Sequence, residues 1–192
     1  MSLAEEYQKR AGKGPNSLVL HALDFVLERS ASLDLGAGNL RDSRFLLKQG
    51  FERVVAVDGS ETSRKFASAG IELHIARIEE WEPELRAYDF AFSCNTLFFL
   101  SHAQVAKVFQ SVSKSLRSGG IFACNVLGEK DGWVLRGERV SYYTEETLLA
   151  LCADFELIGT GESKILGSSL ATRTTPRVPK FWHQRNPIVR KP

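Results

Sequence analysis

The sequence predicts a single α/β domain: a doubly wound, mostly parallel sheet closed by a C-terminal antiparallel hairpin. Three observations predict it. Short apolar runs rich in β-branched residues alternate with segments of helical period, the pattern of parallel strands covered by helices on both faces. The first of these runs ends in a Gly-Ala-Gly turn. After Leu127 the alternation stops, and two further apolar runs flank a stretch rich in Gly, Ser, Thr and Pro.

Taken in order, Gly14-Pro15 precedes a first helix over Asn16–Arg29, with Asn16 as its N-cap. Strands follow at Ala31–Leu35, Arg53–Val57, Ile71–Ala76, Tyr88–Ser93 and Gly120–Leu127. Helices are expected between them at Asp42–Gln49, Glu61–Ser68 and Ala103–Leu116. In the last of these, Val105, Val108, Phe109, Val112 and Leu116 recur at helical spacing, and Ser118-Gly119-Gly120 ends the element. Gly128–Gly137 reads as a loop, and Thr144 followed by Glu145 and Glu146 opens another helix with acids in its first turn. Phe155–Ile158 and Phe181–Val189 form the closing hairpin, in which Pro187 requires an edge or a bulge. With neither internal repeats nor a linker, the reading is one domain over 1–192. Residues 1–30 form an N-terminal helix or lid, 31–127 a binding core, and 128–192 a C-terminal helix and hairpin.

Composition bounds the class without naming an activity. The 192 residues are 43% hydrophobic and 25% charged, ordinary values for a globular protein. Residues 1–13 are charged and no apolar run approaches a membrane span, so the expectation is a cytoplasmic protein without a leader and without membrane contact. Cys94, Cys124 and Cys152 are odd in number and widely spaced, which suits buried free thiols rather than disulfides or a metal site. The net charge is only +2, yet residues 164–192 contain seven basic residues and no acid, a segment able to face an anionic substrate or nucleic acid.

The chemistry lies in Leu33-Asp34-Leu35-Gly36-Ala37-Gly38-Asn39. A glycine turn between strand and helix lets backbone approach a ligand where a side chain would collide. A dinucleotide fingerprint would place a third glycine at Arg41, and Asp34 beside the turn would repel a pyrophosphate. The same carboxylate suits a cationic ligand. Twenty-two positions after Gly36, Asp58 closes the second strand, where an acid meets ribose hydroxyls in nucleotide-binding βαβ units, and Gly59 and Ser60 follow it.

These residues resemble the class I S-adenosylmethionine-dependent methyltransferases, whose first motif is commonly D-x-G-x-G and whose second strand ends in an acid. Arg77-Ile78-Glu79-Glu80-Trp81 falls where that family lines the adenine, Tyr88–Asn95 on its fourth-strand motif, and Leu116–Gly120 before its fifth strand. Within the class, Gly38-Asn39-Leu40-Arg41-Asp42-Ser43 and Pro179-Lys180-Phe181-Trp182-His183 are similar to segments of the tellurite-resistance methyltransferases. Leu40 replaces that group's third glycine and Phe181 the first histidine of its terminal motif. The resemblance implies a Rossmann-like fold and S-adenosylmethionine as cofactor, with S-adenosylhomocysteine as product. The cofactor would be held by Asp34, Gly36, Ala37, Gly38, Asp58, Gly59, Ser60, Ile78, Glu79 and Asn95.

Asn95 also stands near where the methyl group should leave. Tyr7 and Arg10 could fold over the cofactor, and His183 could approach the acceptor. His21, His74, His102 and His183 form no metal pattern, and no hydrolase nucleophile motif is present. A small-molecule acceptor, namely a soft chalcogen, thiol or amine, is the expected partner. The nucleic-acid reading is weaker because Asn95 is followed by Thr96-Leu97-Phe98 rather than by the motif of amino-methylating nucleic-acid enzymes. A non-catalytic binding module and a nicotinamide-dependent oxidoreductase remain the rival readings.

Overall fold

The computed structural model describes residues 8, 13–168 and 178–192. Strands β1 (Ala31–Leu35), β2 (Arg53–Asp58), β3 (Ile71–Ile75), β4 (Tyr88–Ser93) and β5 (Leu116–Cys124) pair in parallel in the order β3-β2-β1-β4-β5. The line of β5 resumes after Asn125 as β6 (Val126–Leu127). Strand β8 (Pro179–Arg190) runs antiparallel beside β5 and β6, and β7 (Glu156–Ser168) lies antiparallel on its other side. The mostly parallel sheet with its antiparallel hairpin is therefore present as expected.

Both faces of the central strands are covered, which is why they read as continuous apolar runs rather than as alternating ones. Leu33, Leu35, Val55, Val57, Ala91, Phe122 and Val189 form one core with Val105, Val108, Phe109 and Val112 of helix α3 (His102–Ser115) and Leu148 of helix α5 (Glu145–Leu151). Their neighbours Val54, Phe90, Phe92, Ile121, Ala123 and Ile188 face the opposite core. It is closed by Leu18, Val19 and Ala22 of helix α1 (Ser17–Ala22) and by Leu46 of helix α2 (Arg41–Lys48). A short helix α4 (Gly132–Leu135) lies in the stretch expected to be loop.

Four expectations are corrected. The first helix is one and a half turns of α-helix followed by a 3-10 turn at Leu23–Phe25, not a helix to Arg29, although Asn16 caps it as expected by accepting from the Leu18 N–H at 3.0 Å. Residues Glu61–Phe66 are 3-10 rather than α-helical. The fifth strand begins at Leu116 and breaks at Asn125. The hairpin is far longer than the apolar runs suggested, because Gly159–Ser168 continues as strand against Pro179–Ile188. Its composition resembles a loop only because β7 has no buried face to fill. Pro187 takes the place a proline needs: the ladder to β5 covers 188–190, that to β6 covers 184–185, and 186–187 lie opposite the break.

Candidate cofactor site

The site forms where β1, β2 and β4 end, at the reversal of strand order where ligands of open α/β sheets bind. The turn after β1 places Gly36 at φ +86° and Gly38 at φ +54°, in the left-handed region that glycine enters without strain. Its N–H groups point inward. Gly36 and Ala37 both donate to the Val57 carbonyl, at 2.8 and 3.1 Å, and Gly38 donates to Asp58 Oδ2 at 2.7 Å. A phosphate-binding turn keeps these donors for its anion. Here they are spent on β2, so this turn is no phosphate cradle.

Asp34 and Asp58 are thereby brought to one place, both nearly inaccessible to solvent. Asp34 Oδ2 accepts from Ser43 Oγ at 2.6 Å. Burial, reinforced by the nearby Asp42 and Asp58 carboxylates, pushes the Asp34 carboxyl well above the usual carboxylate range, with the Ser43 hydroxyl opposing. Arg41 opposes the shift more weakly and is itself paired with Asp42, so Asp34 has no direct ion pair among the described residues, a condition that a positively charged ligand would relieve. Asp42 is occupied otherwise: it accepts from the Asn16 N–H at 2.7 Å and pairs with Arg41 at 2.9 Å. Those bonds tie the start of α1 to the first turn of α2.

Asp58 has a local task as well. Oδ1 accepts from the Ser60 N–H at 2.8 Å and from Ser63 Oγ at 2.9 Å, while Ser60 Oγ caps the following 3-10 turn through Thr62. With the Gly38 bond, three of the roughly four acceptor positions of a carboxylate are filled. Asp58 can therefore accept one ribose hydroxyl, not the two that its position alone suggests, unless an internal donor is displaced.

Around this pair, Ala37 is buried against Leu40 and Ala56, and Gly59 is exposed beside the half-buried Ser60. Ile78 points into the core next to Trp81, so only its backbone could meet an adenine. The Glu79 carboxylate is taken by Arg77 and by Gln104 Nε2 at 2.9 Å. Asn95, at φ +57°, donates its N–H to Asn125 Oδ1 at 2.6 Å and accepts from Gln184 Nε2 at 2.9 Å, which fixes it between β4 and the hairpin.

His183 does not join the site in the way its type suggested. It is fully buried, Nδ1 accepts from the Lys130 N–H at 3.0 Å, and Nε2 meets Glu162 at 2.7 Å. Both ring nitrogens are thus committed to the protein. Tyr7 and Arg10 lie outside the described residues. Among the described residues, no cluster of His, Cys, Asp and Glu is arranged to hold a metal ion, and no helix is long and apolar enough to cross a membrane. The three cysteines are free. Cys124 and Cys152 are buried and Cys94 is half-buried, and burial pushes all three thiols up.

Sequence reasoning missed several partners. Thr96 stands where a Cβ on Gly36 would be, so this glycine makes room for a neighbouring side chain. Behind the Asn95–Thr96 loop, Phe98, Phe99, Trp133 and Trp182 form a ring cluster that encloses the Lys180–Asp131 ion pair, at 2.6 Å with both side chains fully buried. Only the aromatic content of Trp133 and Phe181-Trp182 hinted at it.

Residues 33–120 match the sequence profile described as a methyltransferase domain. The match spans a little under half of the chain. No curated protein matches it. Among solved structures, TehB from Haemophilus influenzae is similar over 92% of this chain and 62% of its own, at 18% identity and a TM-score of 0.72. The N-methyltransferase NodS from Bradyrhizobium japonicum WM9, solved with S-adenosyl-L-homocysteine, is similar over the whole of both chains at 12% identity and a TM-score of 0.68. The 1,6-didemethyltoxoflavin-N1-methyltransferase of Burkholderia thailandensis is similar over 91% of this chain and 78% of its own, at 20% identity and a TM-score of 0.64. These likenesses establish the class I methyltransferase fold. The matched stretch contains both the turn after Asp34 and Asp58.

Proposed function

We propose that this protein is a methyltransferase that binds S-adenosylmethionine and transfers its methyl group to a small nucleophile. The observation that carries the reading is the pairing of a buried carboxyl without a direct ion pair, Asp34, with a turn whose N–H donors are spent on β2. That combination repels phosphate and favours a cation, which argues against a nicotinamide dinucleotide.

Bound there, S-adenosylmethionine would supply a sulfonium-activated methyl group for in-line displacement. Asp34 balances the positive amino-acid end, and the free acceptor position of Asp58 takes a ribose hydroxyl. The backbone of Ile78 and Glu79 borders the adenine, and Asn95 marks the acceptor side. The chain's contribution is alignment in a site of low water content, which can be worth up to about 7–11 kcal/mol of a bimolecular barrier. His183, the basic side chain expected nearest the acceptor, has both nitrogens engaged. The acceptor therefore has to attack without that base, which favours a chalcogen anion, a thiolate or an amine.

Isothermal titration with S-adenosylmethionine tests the cofactor, with Asp58→Ala expected to weaken binding by about ten- to a hundredfold, the worth of one hydrogen bond to a charged group. Folded wild-type protein that binds no S-adenosylmethionine removes the proposal. Methyl release across thiol, selenium, tellurium, amine and hydroxyl acceptors then sorts the substrate class. Cofactor binding with no turnover on any of them supports a binding module instead.

A further inference from the structure

Strand β7 is the outer edge of the sheet: it pairs with β8 alone, and no other described strand lies on its far side. An open edge is a row of unpaired N–H and C=O groups ready to take another strand. This one is long, and over Thr160–Leu166 it is exposed on both faces apart from the half-buried Ser163. Ile165 is 60% and Leu166 76% accessible, large apolar side chains with nothing described over them.

The order of residues in β7 says what fits there. Around Ser163 the strand is complementary to its own reverse. Antiparallel pairing of two β7 strands about a two-fold axis at Ser163 sets Glu162 opposite Lys164 of the second copy, and Lys164 opposite its Glu162. Within one chain these two side chains already share a face and pair at 2.5 Å, so the dimer would close a square of alternating charge. Size follows the same rule: Ile165 falls opposite Gly161, Leu166 opposite Thr160, and Gly159 opposite Gly167. The bulky half of each strand covers the bare half of the other. Moving the axis to Glu162 or to Lys164 sets like charges face to face, and a slip of one residue puts the side chains on the wrong faces.

We infer that β7 is a homodimer interface, with two copies of this chain joined edge to edge about Ser163. Such a contact is isologous and closes on itself, because each copy uses up its β7 edge. It rests on the hairpin alone and is independent of the cofactor assignment.

Sedimentation of the full chain, with and without crosslinking, tests it. Wild type should sediment as a dimer. Lys164→Glu, which sets an acid against Glu162 of the partner copy in each of the two symmetric pairs, should raise the dissociation constant by at least about tenfold. Directly opposed residues of antiparallel strands have Cα atoms roughly 4.5–5.5 Å apart, within disulfide reach. Ser163→Cys should therefore form a disulfide-linked dimer under mild oxidation, whereas Thr160→Cys, opposite Leu166, and the wild type, with its own thiols inside the fold, should not. A wild-type monomer at the highest soluble concentration overturns the inference. A dimer in which Thr160→Cys crosslinks and Ser163→Cys does not overturns it equally.

Discussion

At the residue scale the site depends on which groups are left unsatisfied. Asp34 has a raised folded pKa, so the folded protein holds its proton to higher pH than the unfolded chain. As pH climbs past the ordinary carboxylate value of about 4, this residue therefore subtracts stability, increasingly so until it ionises in the fold. Asp34→Asn keeps a partner for Ser43 and removes that cost: melting temperature at neutral pH should rise while affinity for S-adenosylmethionine falls by more than about a hundredfold. A variant both less stable and equally avid would contradict the assignment. In the wild type, a cationic ligand should drive the Asp34 proton off, so affinity should increase with pH below the raised pKa. Titration in two buffers of different ionisation enthalpy should then show proton release on binding. Leu40 is a second case. It sits at φ +56° in the left-handed region and is wholly buried. Leu40→Gly relieves strain of order 1–3 kcal/mol but empties a core position worth about 2–5 kcal/mol, so thermal stability should fall. The sequence displayed Leu40 as a departure from a glycine pattern. That the backbone is left-handed at a leucine could not be read from it, because burial of the side chain decided the outcome.

At the element scale, what could be read from the sequence tracks how far each segment is governed by its own neighbours. The limits of β1 and β4 match the apolar runs residue for residue, since both faces of those strands are buried and the signal is dense. The far half of the hairpin was hidden because Gly159, Gly161, Gly167 and three Ser or Thr residues carry turn chemistry, and pairing with β8 overrides it. His183 misled for a related reason: its type suggested chemistry, and only the contacts of Lys130 and Glu162 showed that it fastens the hairpin to the loop after β6. The Lys180–Asp131 pair shows the same gap between residue type and place. Asp131 also accepts the N–H groups of Trp133, at 2.9 Å, and His183, at 3.1 Å, so removing Lys180 strands a buried acid that organises two elements. Lys180→Met should cost about 3–5 kcal/mol, and adding Asp131→Asn should recover part of it, as chemical denaturation of both variants would show.

At the scale of the whole molecule, the sheet and its two cores were predictable from alternation alone, whereas the position of the last strand was not. Solution conditions should act on the hairpin and on the centre of the sheet differently. Lys164 and His183 hold the Glu162 carboxyl down to about 2, so its contribution to the hairpin is complete above the ordinary carboxylate range and disappears as pH falls from there towards 2. Asp34 acts in the opposite sense. Between pH 5 and pH 2, hydrogen exchange should therefore speed up in β7 and β8 before it does in β1. Uniform loss of protection would show that the hairpin has no separate acid sensitivity.

The place of β8 has one more consequence, in time rather than in space. Residues 179–190 fill a slot bounded by β5 and β7, strands that leave the ribosome earlier. Until that segment emerges, β5 keeps an open flank of apolar backbone at the middle of the future sheet, the kind of half-built surface that invites association between nascent chains. Between the synthesis of β5 and that of β8 the chain therefore carries its most aggregation-prone seam unsealed, and insertion of β8 is the event that closes it.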